Sequence, residues 1–254
     1  MISCTADLRA LEAIDVGPSE VVYAFLSLLG QPAALDEALL DDEERARAMR
    51  FVRSPDRRRF VLAHAGLRLF LARCLDVQPA AVRYESGVHG KPRLARDLPA
   101  LEFNLSHSAG LGLLAVARDR AVGVDVEHLR DVPEALNIAD THFSPVERDV
   151  LVSLPPADRG AAFFRCWTRK EAVIKALGEG LGRALGSFEV DLAPGSTSAL
   201  ARFDGRPGNV AGWSLRDLTA PTGYTAAGAA AVALRAPPTR WRELSIEGPD
   251  GARS

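Results

Sequence analysis

Asp125 and Glu127, one residue apart in the run GVDVE (123–127), are the first residues of this sequence whose types and spacing suggest chemistry. In a strand successive side chains point to opposite faces, so the two acids share one face while Val124 and Val126 share the other. The valines can enter a core and leave two carboxylates side by side on a rigid element; neither acid is expected in the core. Like charges that close repel, and a divalent cation or a shared proton relieves the repulsion. A hard ion such as Mg²⁺ suits oxygen ligands and typically takes substrate phosphate as well. Taken alone, the pair also fits a solvated strand face with two unrelated acids.

A second group lies in FFRCWTRKEAVIKALGEGL (163–181), where Trp167, Glu171 and Lys175 are spaced i, i+4, i+8 along one side of a helix. The plain alternative is a Glu–Lys helix pair worth about 0.3–0.5 kcal/mol, with Trp167 in the core. If Glu171 faces Asp125 and Glu127, three carboxylates converge beside a lysine, which is a phosphoryl-transfer constellation. The run NLSHSAG (104–110) reads as a hairpin turn presenting Ser106, His107 and Ser108 at an exposed rim, although a lone histidine is often structural. In GKPRL (90–94), Gly90 and Pro92 hold a turn that presents Lys91, or Lys91 is simply solvated. Arg45, Arg47, Arg50, Arg53, Arg57, Arg58 and Arg59 alternate with Met49, Phe51 and Phe60. Arginine forks match phosphate geometry, while Glu43, Glu44 and Asp56 make a solvated helix face an equal reading.

These residues need elements to position them. VVYAFLSLL (21–29) is an apolar strand, and helical patterning runs from Asp36 through ALLDDEERARAMRFV. Pro55 and Asp56 start a second helix, DRRRFVLAHAGLRLFLARCL. LEFNLSHSAGLGLLAVAR supplies two short strands and AVGVDVEHL another. The pattern then repeats: an acidic helix opened by Ser144 and Pro145, a long helix ADRGAAFFRCWTRKEAVIKALG, and strands SFEVDL, WSLRDLT and GAAAVALR. Helix, helix and antiparallel strands, twice over, predict an α+β fold, a pseudo-twofold monomer of two similar halves, each with helices packed on a small antiparallel sheet. The expected division is 1–118, 119–236, and a loosely attached tail over 237–254 that opens with Pro237 and Pro238.

Composition narrows the class. The chain has 254 residues, 47% apolar and 25% charged, with net charge −2. That balance gives no global pull toward nucleic acid or an anionic membrane. No run approaches about 18 apolar residues, and the start lacks a signal-peptide layout. Cys4, Cys74 and Cys166 are far apart and outside CxxC pairs, so they read as reduced, mostly buried thiols of a cytoplasmic protein.

The motifs in order, GKP, NLSHS, GVDVE and WTRKEAVIK, resemble the 4′-phosphopantetheinyl transferases of the larger, surfactin-type (Sfp) class. The WxxKEA form is similar to the subgroup tied to polyketide, nonribosomal-peptide or fatty-acid carrier proteins. The likeness covers roughly residues 40–190. It implies a monomer with coenzyme A in the cleft between two halves, Mg²⁺ (with Mn²⁺ as a substitute), and an apo acyl- or peptidyl-carrier protein as acceptor. By that resemblance Asp125, Glu127 and Glu171 surround the metal, and Glu171 is the favoured base for the carrier serine. Lys175 sits on the transferring phosphate. Ser106 and His107 bind the nucleotide phosphates, and Lys91 and Pro92 lie near the adenine or pyrophosphate. Arg47, Arg53 and Arg58 match basic positions near the 3′-phosphate. Two other readings compete: a metal-dependent phosphodiesterase that activates water on the same acids, and a non-enzymatic carrier- or nucleotide-binding module.

Overall fold

The computed structural model describes residues 1–87, 90–118, 120–179, 182–194, 196, 200–203, 212–231 and 239–245. The first half opens with α1 (Thr5–Ala10) and β1 (Glu20–Ser27), continues through α2 (Ala34–Leu39), α3 (Asp42–Met49) and α4 (Ser54–Leu75), and closes on strands β2 (Tyr84–Ser86), β3 (Pro92–Leu94), β4 (Leu101–Ser108) and β5 (Leu111–Arg118). The second half runs β6 (Val122–His128), α5 (Ala135–His142), α6 (Pro145–Ser153), α7 (Pro156–Leu177), β7 (Glu189–Val190), β8 (Leu200–Arg202), β9 (Trp213–Leu218) and β10 (Tyr224–Ala231). A last strand, β11 (Arg240–Glu243), follows.

Local chemistry explains the paired helices. Asp41 caps α3, accepting from Glu44 N at 2.8 Å while the Glu44 carboxylate accepts from Asp41 N at 3.0 Å. Ser144 and Glu147 make the same reciprocal box at the start of α6. The expected continuous helix from Asp36 is therefore two helices, because the Asp41 cap starts a new one and Leu40 drops into the core. Residues 51–53 are likewise non-helical, with Arg53 extended as the N-cap of α4. The long helices α4 and α7 each have 22 residues and each stops at a left-handed residue, Asp76 (φ 54°) and Gly178 (φ 71°).

Beside the short pairs β2-β3 and β7-β8, each half builds a main sheet around three antiparallel strands with the same connectivity. The first strand of the half pairs with its last, and the last pairs with the one before it: β1-β5-β4 and β6-β10-β9. The two halves are pseudo-twofold copies of one α+β plan. One core cluster lies under α4, with Val22, Ala24, Leu26, Leu69 and Phe70. Another lies under α7, with Phe163, Phe164, Val173, Ala227 and Ala229. A third joins the inner faces of the sheets, where Tyr23, Phe25, Leu113 and Ala115 meet Val122, Val124, Val126 and Ala226. The expectation that the GVDVE valines enter a core holds there.

Two expectations change. The tail expected to hang loose is described over 239–245, and there β11 docks parallel to the edge of β1, with Glu20 against Arg240 and Tyr23 against Glu243. Trp241 anchors it, half-buried between the sheets with its Nε1 donating to Ser214 Oγ at 3.1 Å; Pro237, Pro238 and 246–254 lie outside the described residues. Among the three thiols, Cys166 is buried and Cys74 partly so, but Cys4 is exposed. No described helix is long and apolar enough to cross a membrane.

Candidate active site

The acids of GVDVE and the NLSHS motif meet where the sheet edges run side by side. β4 and β6 are neighbours without a backbone ladder between them among the described residues. Asp125 is buried, 4% exposed, against the sequence expectation of an acid outside the core. Its Oδ1 accepts from Lys175 Nζ at 2.5 Å and from Ser106 Oγ at 2.8 Å, and Lys175 Nζ also donates to Ser106 Oγ at 3.1 Å. Its Oδ2 is buried with no hydrogen-bond partner among the described residues. Glu127 Oε2 accepts from Ser108 Oγ at 2.7 Å and pairs with Arg130 at 3.2 Å. Close approach of β6 to α7 is possible because residue 123 is glycine: a Cβ there would lie 2.2 Å from Ala172 O and 2.3 Å from Ala176 N.

Glu171, half-buried on α7, feels this cluster. Burial raises its pKa; Lys175 opposes the rise, and Asp125 and Glu127 add to it. Burial raises Asp125 as well, with Lys175 and Ser106 pulling back. Among the described residues no group of three or more His, Cys, Asp or Glu forms a ready metal cage. The expected three-carboxylate convergence is thus incomplete, since a lysine rather than a third acid occupies Asp125 Oδ1. A buried carboxylate oxygen without a partner is nonetheless unfavourable by about 1–3 kcal/mol, and a cation would satisfy it. The all-oxygen donor set suits Mg²⁺, which keeps waters and takes substrate phosphate rather than requiring a closed protein cage.

The structure re-aims several residues. Ser106, His107 and Ser108 are the last residues of β4, not the turn, which is Ala109 and Gly110. Strand alternation therefore divides them: Ser106 and Ser108 reach toward β6, while His107 opens toward α4. Loss of surrounding water lowers the His107 pKa, and the charges of His64, Lys175 and Arg59 lower it further against Glu127, which favours the neutral imidazole. Lys91 is not presented by its turn. Its Nζ turns inward to Val122 O (3.1 Å) and Ala176 O (3.4 Å), tying β3 to the start of β6 and the end of α7. Lys91 and Pro92 line a cavity of about 800 Å³ together with Leu101, Glu102, Ala176 and Gly178, a size suited to a small-molecule ligand. Trp167 takes the plain reading, packed on Phe143 and Phe163. Arg47 lies over the Phe60 ring at 5.3 Å, and that ring stacks on His64 at 4.0 Å. Arg53 and Arg58 make no side-chain hydrogen bond or ion pair among the described residues, whereas Arg45, Arg57 and Arg59 pair with Asp42, Glu37 and Asp56.

Residues 33–119 match the 4′-phosphopantetheinyl transferase N-terminal family and residues 121–229 the 4′-phosphopantetheinyl transferase superfamily. A relative from Nostoc sp., "4′-phosphopantetheinyl transferase HetI", is 37% identical over 218 residues, 84% of this chain and 89% of that protein. The chain belongs to the 4′-phosphopantetheinyl transferase superfamily. It is also 30% identical over 155 residues to the Sfp transferase of Bacillus subtilis, covering 61% of this chain and 67% of that one. The human L-aminoadipate-semialdehyde dehydrogenase-phosphopantetheinyl transferase is 30% identical over 165 residues, 61% of this chain and 53% of its own. The boundary between the two family matches, at 119–121, falls between β5 and β6.

Sequence reasoning did not pick out Asn104, Arg130, His64 or Tyr224, all of which touch or face this seam, and it put Ser108 at a turn rim rather than at the end of a strand. Period-2 alternation in NLSHS was the available signal. Reading it as strand rather than turn places Asn104, Ser106 and Ser108 on one face.

Proposed function

We propose that this chain transfers the 4′-phosphopantetheine arm of coenzyme A to a serine of an apo acyl- or peptidyl-carrier protein, with Mg²⁺ and with Mn²⁺ as a substitute. The product from the nucleotide end is 3′,5′-ADP. One observation carries the reading: in a chain of this family, the buried Asp125 with its unpartnered Oδ2 sits against Lys175 and Ser106, at the seam between the halves. On this reading the working unit is a monomer that acts in the cytoplasm on carrier proteins, without nucleic acid or membrane; that both halves of one chain wall the seam supports the monomer.

Asp125, Glu127 and Glu171 would hold the ion, which supplies positive charge to the pyrophosphate. In the transfer, the carrier serine Oγ forms a bond to the β-phosphorus. The bond from that phosphorus to the bridging oxygen breaks, and 3′,5′-ADP leaves with the electron pair. Glu171 accepts the serine proton as general base. Lys175 Nζ would stabilise the negative charge that develops on the leaving oxygen. Neutral His107 and Ser106 hydrogen-bond phosphate oxygens, and Lys91 and Pro92 border the space for the adenine or pyrophosphate. Arg47, Arg53 and Arg58 serve the 3′-phosphate, in keeping with their lack of carboxylate partners among the described residues. Exclusion of water from the phosphorus would favour transfer over hydrolysis.

The test mixes the protein with coenzyme A, Mg²⁺ and a panel of apo carriers, and reads each carrier by mass spectrometry. Phosphopantetheine added to a serine is the expected result. Coenzyme A hydrolysis without carrier modification would instead identify a phosphodiesterase, and no turnover a binding module.

A further inference from the structure

Val124 and His128 direct their backbone N–H groups at β4, where an adjoining strand would ordinarily answer with carbonyls. Side chains answer instead. Asn104 Oδ1 accepts from Val124 N at 2.9 Å, and Ser108 Oγ accepts from His128 N at 3.1 Å. A serine hydroxyl has one proton to give. Ser108 takes the His128 N–H and gives its proton to Glu127 Oε2 at 2.7 Å. Ser106 takes Lys175 Nζ and gives its proton to Asp125 Oδ1 at 2.8 Å. In both places a donor behind the hydroxyl fixes its direction, and the hydroxyl fixes one oxygen of the carboxylate in front.

We infer that Ser108 and Asn104 are positioning residues of the transfer site: with Ser106 they form a side-chain ladder that replaces backbone pairing between β4 and β6 and sets the aim of Glu127. The far end of the ladder is also held. Gly110 N donates to Tyr224 OH at 3.3 Å, and the Tyr224 ring meets His128 at 5.0 Å. Direct backbone pairing would bring the strands to about 4.8 Å and leave no interval for the serines. A residue at 108 must therefore be small and must both accept and donate.

This role rests on the transferase reading, because it matters through the ion that Glu127 would hold. The experiment measures Mn²⁺ binding in the presence of coenzyme A, by calorimetry and electron paramagnetic resonance, for the wild type, Ser108→Ala, Ser108→Cys and Ser108→Thr. Thermal unfolding and the Mg²⁺ dependence of carrier modification are run alongside. Loss of a residue that orients a metal ligand commonly weakens metal affinity by about 10–100-fold. Ser108→Ala and Ser108→Cys are expected to weaken Mn²⁺ binding by at least about 10-fold and to raise the Mg²⁺ needed for half-maximal transfer, while Ser108→Thr recovers most of the affinity. Asn104→Ala is expected to act in the same direction and more weakly. If Ser108→Ala does not fold, the nearly isosteric Ser108→Cys decides. Unchanged Mn²⁺ affinity in a folded Ala or Cys variant, beside a wild type that binds and transfers, overturns the positioning role alone. A wild type that neither binds Mn²⁺ nor modifies any carrier overturns the transferase reading, and the positioning role with it.

Discussion

In the first half, the side of β1 that faces the long helix carries Val22, Ala24 and Leu26, buried against α4. In the second half, the side of β6 that faces α7 carries Gly123, Asp125 and Glu127. The plan is the same and the contents are opposite. The frames match closely: Glu44 pairs with Arg68 at 2.7 Å in one half, and Glu147 with Lys170 at 2.8 Å in the other, each joining a capping box to its long helix. The seams differ as well. In the shared topology the counterpart of the β4–β6 seam lies between β9 and β1, and there β11 intervenes, with Trp241 bonded to Ser214 and packed over Gly228. A duplicated fold thus fills one long-helix face with apolar side chains and the matching face with acids, and among the described residues only one of its two equivalent seams has a strand between the sheets. Burial of acids is tolerable on β6 because Lys175 and two serines meet them.

Glu171→Gln gives the largest expected effect, because it removes charge from the acidic side of the second half. Single-turnover transfer should slow by about 10²–10⁴-fold, while Leu69→Met in the matching first-half helix should leave the rate near wild type. Comparable losses from both would dissolve the contrast.

Next come the frame ion pairs. Removing one partner of a buried pair leaves an uncompensated charge and costs about 3–5 kcal/mol. Arg68→Met and Lys170→Met should therefore lower stability by similar amounts in denaturant unfolding. A large asymmetry would show that the halves are not held by equivalent frames.

The glycines at the helix–strand contacts come third. Gly123→Ala would press on main-chain atoms of α7 and should cost about 3 kcal/mol and slow transfer by displacing the acids, less than Glu171→Gln does. At Gly66 an added Cβ meets Leu26 Cδ2, the end of a side chain that can turn, so Gly66→Ala should cost about 1 kcal/mol and spare the rate. Equal penalties would mean the close approach at Gly123 is unimportant.

Fourth, the first half contributes arginines rather than acids. Charge-assisted bonds are worth about 1.5–3 kcal/mol, so coenzyme A should bind about 10-fold or more tighter than dephospho-coenzyme A. Arg47→Ala, Arg53→Ala or Arg58→Ala should shrink that ratio. An unchanged ratio in all three leaves the stretch as a solvated face.

The smallest effect is on pH. Burial would raise Glu44, but His64, Arg68 and the Asp41 amide outweigh it and hold its pKa below the ordinary 4.5. A lowered carboxylate pKa adds stability that is present above its unfolded value and lost as pH falls through the folded one. Between pH about 5 and 3 the stability of the wild type should therefore fall more steeply than that of Glu44→Gln, as read by urea unfolding at each pH. Parallel slopes would remove Glu44 from the acid-sensitive groups.

Much of this architecture is written in short-range pattern. The Pro55 start of α4, the Ser144–Pro145 start of α6 and the Val–Asp–Val–Glu alternation each act within a few residues, so they are legible without a fold, whereas the Asp41 cap is masked by helical pattern on both sides of it. The order of GKP, NLSHS, GVDVE and WTRKEAVIK likewise identified the family. Tertiary structure decided what these pieces meet. Whether Lys91 points to solvent or to Val122 and Ala176, whether Ser108 ends a strand against Glu127 or tops a turn, and whether Arg240–Glu243 hangs free or pairs with β1 depend on partners 19 to 220 residues away. Local propensity carries no information about such partners. Burial and the need to satisfy buried polar groups select them once the two sheets close on each other.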